Sequence, residues 1–371
     1  MKKIIVNGAN GYVASHFINE LLLQNYQVVA LVRESGNCSS AERMKKALAE
    51  TYYRQVADTK NLEVYNYSLL ERNFGLSPEE QKTVFSGDFD FFHFAASLKY
   101  HASDKEEIFK ININGLENSI HTFLKHSASS SRFFFVSTAY SCGKFTGVYK
   151  EQFYANADIQ NFRNYYEQSK RFAENTLKKY IDESRLNGHV LRLSQVVGHN
   201  QSGVTPTEYG VFDFAKRIQG ISAKYPHKTV RLRINPGSTQ NLISIDSTVE
   251  YLMKILKEDQ LPVIINLVGR ENMKNKEIIN SICNLLPIKI IQKKELETDK
   301  LNSLERIVAA GMAFTGVYAN LDLKFDSKNL DKIVSANGNE VTAQSLHKML
   351  DYFFHKSKRV KNKQEPTIKQ N

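Results

Sequence analysis

Asn164-Tyr165-Tyr166-Glu167-Gln168-Ser169-Lys170 places a phenol and an ammonium four residues apart. On a helix, positions i and i+4 share a face. An ammonium beside a phenol favours the ionised form. A hydroxyl with an ordinary pKa near 10 could then exchange a proton close to neutrality. About 150 residues earlier, Gly8-Ala9-Asn10-Gly11-Tyr12-Val13-Ala14 follows a short apolar run and opens a helical pattern. In that context a glycine-rich turn cradles a dinucleotide. Gly8 allows the tight turn, Gly11 lets backbone approach a pyrophosphate, and Ala14 is small enough for close helix–strand packing. The helix N-terminus favours the phosphate charge. Asn10, Tyr12 and Val13 belong to the same turn and are expected at the cofactor. Together the two motifs bring a dinucleotide and a proton-donating phenol into one cleft.

Cofactor choice is set at the end of the second strand, where an acid would bind the ribose 2′-hydroxyl. This chain has Leu31-Val32-Arg33 there, and Arg43 follows. A guanidinium fits a 2′-phosphate, which favours NADP(H) over NAD; the adjacent Glu34 leaves a ribose contact open. Asp90–Ser97 reads as a buried strand running into small residues, and the backbone of Ala95, Ala96 and Ser97 would line the cofactor. His93 in that strand suits a core position. Thr138 ends the strand Phe133-Phe134-Phe135-Val136-Ser137. Its hydroxyl would hydrogen-bond a carbonyl oxygen and place it against the Tyr166 proton. Asn112 suits a water-linked proton path or, alternatively, a local helix-bending hydrogen bond.

These residues need a frame. Lys3–Val6, Gln27–Val32, Leu62–Tyr67, Asp90–Ala95, Arg132–Ser137 and His189–Ser194 read as six strands. Helical patterns alternate with them: Val13, Phe17, Leu21 and Leu22 at helical spacing, Ser40–Tyr53, Glu106–Leu124 and Asn161–Ile181. Such alternation predicts an α/β fold of Rossmann type, a doubly wound parallel sheet with helices on both faces. Ligands bind beyond the carboxyl ends of such strands. After Gly198 the pattern loosens, with X-Pro steps at Pro206, Pro226 and Pro236, a late strand at Val263–Val268 and a helix at Asn275–Leu286. The expected organisation is a nucleotide-binding domain over 1–200, with 238–270 returning to it. A smaller C-terminal lobe over 201–237 and 271–354 would close over the cleft and select the substrate. Residues 355–371 form a basic tail that reads as a solvated end.

The chain has 371 residues, 42% of them hydrophobic and 24% charged, enough to bury a sizeable core. No apolar run approaches the ~20 residues that cross a bilayer. The opening Met1–Val6 ends too soon for the h-region of a signal peptide and suits the first strand of a cytoplasmic protein. Cys38, Cys142 and Cys283 form no C-x-x-C pair, and no histidine motif has metal-ligand spacing. Neither a disulfide framework nor a metal is expected. The net charge of +11 favours acidic or phosphorylated partners. The basic tail lacks the aromatic interleaving of single-stranded nucleic-acid binders, so nucleic acid is not expected.

The Gly8/Gly11/Ala14 turn, Ser137-Thr138-Ala139-Tyr140 and Tyr166-Glu167-Gln168-Ser169-Lys170 together resemble the extended short-chain dehydrogenase/reductase superfamily. Leu191–Gly198 is similar to that group's following strand and loop, with Leu193 in place of the usual proline, and Asn241–Asp246 to its later strand-to-helix step. Leu31-Val32-Arg33, Glu42-Arg43-Met44, Phe74-Gly75-Leu76-Ser77, Phe92–Tyr100 and Asn112-Ile113-Asn114-Gly115 are similar to thioester reductases and fatty acyl-CoA reductases. The likeness covers roughly residues 2–290. It implies reduction of an acyl thioester, on a carrier protein or coenzyme A, with NADPH. Thr138 would polarise the carbonyl, Tyr166 would donate the proton, and Lys170 would hold the nicotinamide ribose and depress the tyrosine pKa. Asn112 would join this catalytic set. The resemblance also places Ser68, Leu69, Leu193 and Val196 at the cofactor. Ser68 stands where the family has an adenine-contacting aspartate, and Asn7 replaces its usual threonine. A basic surface would suit an acidic acyl carrier protein or the phosphates of coenzyme A; a homodimer is compatible with the sequence.

Three other readings share the scaffold or the cofactor. One is a nucleotide-sugar epimerase or reductase. A second is a dehydrogenase of a small ketone or alcohol. The third, from a different class, is an NADP-sensing regulator without turnover, which would tend to lose the tyrosine or the lysine that this chain keeps.

Overall fold

Apolar runs such as Ile4-Ile5-Val6, Val28–Val32 and Phe133–Val136 are too continuous for a sheet with one wet face; they suit strands covered on both sides. The computed structural model describes residues 2–51, 57–311, 318, 320–335 and 340–364. In it these runs are strands of one parallel sheet: β1 (Lys3–Asn7), β2 (Val28–Val32), β3 (Leu62–Asn66), β4 (Phe89–His93), β5 (Phe133–Thr138), β6 (Gly188–Leu193) and β7 (Ile264–Leu267). Their order across the sheet is β7-β6-β5-β4-β1-β2-β3. Every pairing is parallel. The chain leaves β1 for β2 on one side and later pairs β4 on the other. That reversal opens a crevice at the carboxyl ends of β1 and β4, the place where such sheets bind ligands.

Three helices matter to that edge: α1 (Tyr12–Leu23), α2 (Gly115–His126) and α3 (Tyr165–Asp182). The single helix expected over Glu106–Leu124 is interrupted. An α-helical turn at Lys105–Phe109 passes into a π-helical stretch at Lys110–Asn114 before α2 begins. The α3 helix starts at Tyr165, not Asn161, because Asn164 is extended (φ −160°, ψ 170°) and its Oδ1 accepts the Glu167 N–H at 3.0 Å. The helix expected over Ser40–Tyr53 spans Ser40–Ala49. Tyr52 and Tyr53 of the longer expected helix lie outside the described residues.

Beneath the edge the core is phenylalanine-rich. Phe92 stacks on Phe134 (4.4 Å) and Phe91 on Phe133 (5.4 Å), so the β4–β5 contact is a ladder of rings. Each buried ring contributes about 2 kcal/mol from burial alone.

The described residues divide into two compact units. The first takes the described parts of Met1–Val196, Ser247–Val268 and Lys324–Gly338. Its late segments supply β7 and a short strand, Lys324–Phe325, parallel to Val148–Tyr149. The second takes the described parts of Val197–Asp246, Gly269–Leu323 and Asn339–Asn371. Its core includes Phe212, Ile218, Ile282, Leu346 and Met349, from helices Val211–Lys224, Asn275–Leu285 and Ala343–Gln364. Two parallel strands, Lys228–Arg233 and Ile288–Lys293, belong to it. The last helix runs to Gln364 through the basic segment, and 365–371 lie outside the described residues.

Candidate active site

Gly8 follows β1 with φ +62°, and a Cβ there would lie 2.7 Å from the Ala95 nitrogen. Only glycine lets the turn pack this closely on the backbone that leaves β4. Gly11 caps α1 without any side-chain hydrogen bond, and α1 has no acid in its first turn. The helix therefore presents an uncompensated positive end to an anion. Asn10, Tyr12 and Val13 are half-buried around it. The Gly8 N–H donates to the Tyr67 hydroxyl at 3.2 Å. Burial pushes that hydroxyl up to about 12, against the Gly8 N–H and the guanidinium charges of Arg33 and Arg43. Arg33 is exposed just past β2, and Arg43 donates to its carbonyl oxygen. The Arg43 guanidinium thus reaches the backbone just past β2, while Glu34 is held through its backbone N–H by Asn66 (3.1 Å).

Ala95, Ala96 and Ser97 leave β4 as buried and half-buried backbone. The Ala95 N–H donates to Asn7 Oδ1 at 3.2 Å, and Ser97 is clamped by Asn112, whose Oδ1 accepts the Ser97 N–H at 2.7 Å. Asn112 Nδ2 donates to the Ser97 carbonyl (3.2 Å) and to Ser169 Oγ (2.8 Å). The π-helical stretch carries this amide into the interior, where it ties the loop after β4 to α3. Leu69 lies against Gly115: a Cβ there would approach its Cδ2 to 2.7 Å. Ser68 is half-buried, its N–H bonded to the Phe74 carbonyl.

Thr138 ends β5, and its Oγ1 donates to the Leu193 carbonyl of β6 at 3.3 Å while accepting the Tyr140 N–H at 3.2 Å. Leu193, which stands where the resembled family has proline, pairs with both Thr138 and Leu267. Val196 is half-buried shortly after it. Lys170 is buried, with Nζ donating to the Val136 carbonyl (2.8 Å) and lying over the Phe135 ring (4.3 Å). Burial lowers its pKa to about 7, opposed by Glu174. The Tyr166 hydroxyl has no hydrogen-bond partner among the described residues. Its pKa is raised, first by burial and then by Glu167. The i, i+4 spacing led to the opposite expectation. Here Lys170 bonds β5, and the anion beside Tyr166 acts on the phenol instead.

The sequence reading missed a buried carboxylate beneath these groups. Glu174 accepts from Ser137 Oγ (2.6 Å), Ser141 Oγ (3.0 Å) and Arg192 Nε (3.1 Å) and Nη2 (2.7 Å). Arg192 also bonds the carbonyls of Lys150 and Gln152. The signals were present: an acid one turn beyond Lys170, and an arginine inside an apolar strand. His93, read as a core residue, is fully buried; Nδ1 receives the Asn7 amide at 2.9 Å, and burial lowers its pKa to about 3.

Residues 6–252 match the model of the male sterility protein family. The chain belongs to that family. It is an NAD(P)-dependent oxidoreductase of the extended short-chain dehydrogenase/reductase type. No curated protein sequence matches it. Among solved structures, the terminal R domain of the myxalamid PKS-NRPS pathway shares 16% identity at TM-score 0.76, over 96% of this chain and 91% of that one. A thiolation-reductase di-domain from an archaeal non-ribosomal peptide synthetase gives 15% and 0.74, over 96% and 76%. UDP-glucuronic acid 4-epimerase from Bacillus cereus, in complex with NAD, gives 16% and 0.63, over 95% and 96%. At these identities the likeness carries the fold. The turn at Gly8, the open end of α1 and the small backbone after β4 fit a nicotinamide dinucleotide. Among the described residues no helix is long and apolar enough to cross a membrane.

Proposed function

We propose that the protein reduces an acyl thioester, held on a carrier protein or coenzyme A, or a closely related carbonyl, with NADPH. The observation that carries this reading is that Lys170, of the Tyr166–Lys170 pair, bonds the Val136 carbonyl two residues before Thr138, while the Tyr166 hydroxyl has no hydrogen-bond partner among the described residues. Reduction of a carbonyl needs a hydride at carbon and a proton at oxygen. The nicotinamide, when bound, supplies the hydride. A half-buried phenol that holds its proton would supply the second. Thr138 carries one hydroxyl hydrogen, now on Leu193, that can turn to the substrate oxygen; Lys170 would hold the nicotinamide ribose. Arg33 and Arg43 favour a 2′-phosphate, hence NADPH.

Two of the similar folds are reductase domains of carrier-linked synthetases, which supports a thioester. An acidic acyl carrier protein or the phosphates of coenzyme A would suit the net charge of +11. An epimerase of a sugar nucleotide is the alternative that the Bacillus cereus fold suggests. Following NADPH absorbance against acyl-pantetheine and acyl-coenzyme A thioesters, sugar nucleotides and small ketones separates these. Oxidation with thioesters alone, abolished in Tyr166→Phe with NADPH binding retained, is the expected result. Turnover by Tyr166→Phe at the parent rate would remove the proposed acid.

A further inference from the structure

We infer that Tyr67 binds the cofactor directly: its hydroxyl donates its hydrogen to the oxygen at C2′ of the adenosine ribose in a bound nicotinamide dinucleotide. The inference rests on the Gly8 turn as the dinucleotide cradle and is independent of the acyl substrate. Tyr67 is the first residue after β3, Gly8 is the first after β1, and β2 lies between those strands. Neighbouring strands stand about 4.8 Å apart, yet the phenol oxygen accepts the Gly8 N–H at 3.2 Å. The side chain therefore reaches past the end of β2, in the same core cluster as Leu31. The end of β2 is where such folds read the adenosine ribose. Arg33 follows it here, and the charges of Arg33 and Arg43 act on this same hydroxyl. A phenol carries one hydrogen to donate besides the lone pairs that accept. That of Tyr67 has no acceptor among the described residues, although the residue is only 7% exposed. A buried donor left unused calls for a partner.

The loop behind the ring is strained. Asn73 (φ +49°) and Phe74 (φ +62°) are consecutive non-glycine residues in the left-handed region. Such strain persists only where the surroundings impose it, and it gathers at ligand sites. Here the Phe74 ring stands edge-on to Tyr67, 5.7 Å away, and stacks on Phe91 at 6.0 Å. The α2 helix holds the loop down. Asn118 Nδ2 donates to the Leu69 and Glu71 carbonyls, each at 2.8 Å, and Lys125 Nζ to Asn73 Oδ1 at 3.1 Å. The phenol ring is thus fixed from behind, and its oxygen is fixed on the turn. Burial keeps the hydroxyl protonated up to about 12, so it is a donor at neutral pH.

Binding to the full chain, followed by nicotinamide fluorescence, tests this with three ligands: NADPH, NADH and the 2′-deoxyadenosine analogue of NADH, which lacks the oxygen at C2′. Tyr67→Phe keeps the ring and removes only the hydroxyl. It should raise the Kd for NADPH and for NADH roughly tenfold more than the Kd for the deoxy analogue. Loss of the Gly8 contact alone would loosen the turn and weaken all three ligands alike. An equal rise for all three, or no rise, therefore overturns the inference. Tyr67→fluorotyrosine, fluorinated beside the hydroxyl, keeps the shape and makes a stronger donor. It should widen the preference for NADH over the deoxy analogue, and it decides the matter should Tyr67→Phe fail to fold; an unchanged or narrowed preference overturns the inference. Circular dichroism checks the fold of each variant. No acyl substrate enters the titration, so a thioester panel that fails leaves the inference standing.

Discussion

In the proposed reaction, Tyr166 must keep its proton until a substrate oxygen takes it. Burial and the Glu167 carboxylate both hold the phenol protonated. Lys170, one turn on, has the reverse problem: burial brings it down to about 7. Its folded pKa lies below its ordinary 10.5, so the cation is lost as pH climbs through about 7. A charge held there favours an anionic dinucleotide. NADPH affinity, read by fluorescence titration, should therefore weaken between pH 7 and 9, and Lys170→Met should bind more weakly but without that slope. A parent profile as flat as the variant's would mean that Lys170 does not hold the cofactor. Arg33 carries a separate prediction. A charge-assisted hydrogen bond contributes about 1.5–3 kcal/mol, so Arg33→Ala should raise the Kd for NADPH roughly 10- to 100-fold and leave NADH nearly unchanged. Equal changes for both cofactors would remove the 2′-phosphate from its proposed partner.

Among the elements, the turn after β1 is the least forgiving. A methyl at Gly8 would sit 2.7 Å from the Ala95 nitrogen and 2.8 Å from its Cα, on a residue at φ +62°. Backbone cannot retreat as a side chain can. At Gly115 the nearest atom is the Leu69 Cδ2, the end of a flexible chain. Gly8→Ala should lower the thermal midpoint by an amount equivalent to about 2 kcal/mol or more, and Gly115→Ala by clearly less; the reverse ranking would contradict this packing. The same elements show what a sequence discloses. The β strands were legible because runs such as Phe133–Val136 leave no polar face, and the turn because its glycines sit between a strand and a helix. The π-helical stretch was not legible: Lys110–Asn114 has ordinary helical composition, and the insertion follows from Asn112 bonding Ser97 and Ser169, both distant in sequence. Nor did spacing disclose the partner of Lys170. Position i+4 fixes a shared face, while the rotamer is decided by the Val136 carbonyl. The Glu174–Arg192 pair has the same origin, since neither residue signals its partner until β5, β6 and α3 are packed.

Over the whole molecule, histidines held below their ordinary pKa couple stability to acid. His93, His126 and His189 all have lowered pKa values, chiefly from burial. All three belong to the first unit. For His93 the folded value is about 3 against an ordinary 6.5. Between those limits the unfolded chain takes up a proton that the folded chain refuses, so stability falls as pH drops below 6.5. Glu151 and Glu340, raised by burial, act in the opposite sense near their own range, and Glu305, lowered to about 2 by Arg231, adds to the acid loss only below the ordinary carboxylate value. At pH 5 the histidines therefore dominate. His93 alone should make the fold about 2 kcal/mol less stable at pH 5 than at pH 7. Calorimetric unfolding at the two pH values checks this. His93→Gln keeps an acceptor for the Asn7 amide and cannot ionise. It should be less stable at pH 7, because the ring contacts with Phe133 and Phe135 are lost, yet lose less on going to pH 5. Equal acid losses in parent and variant would show that His93 takes up its proton in the folded state as readily as in the unfolded one.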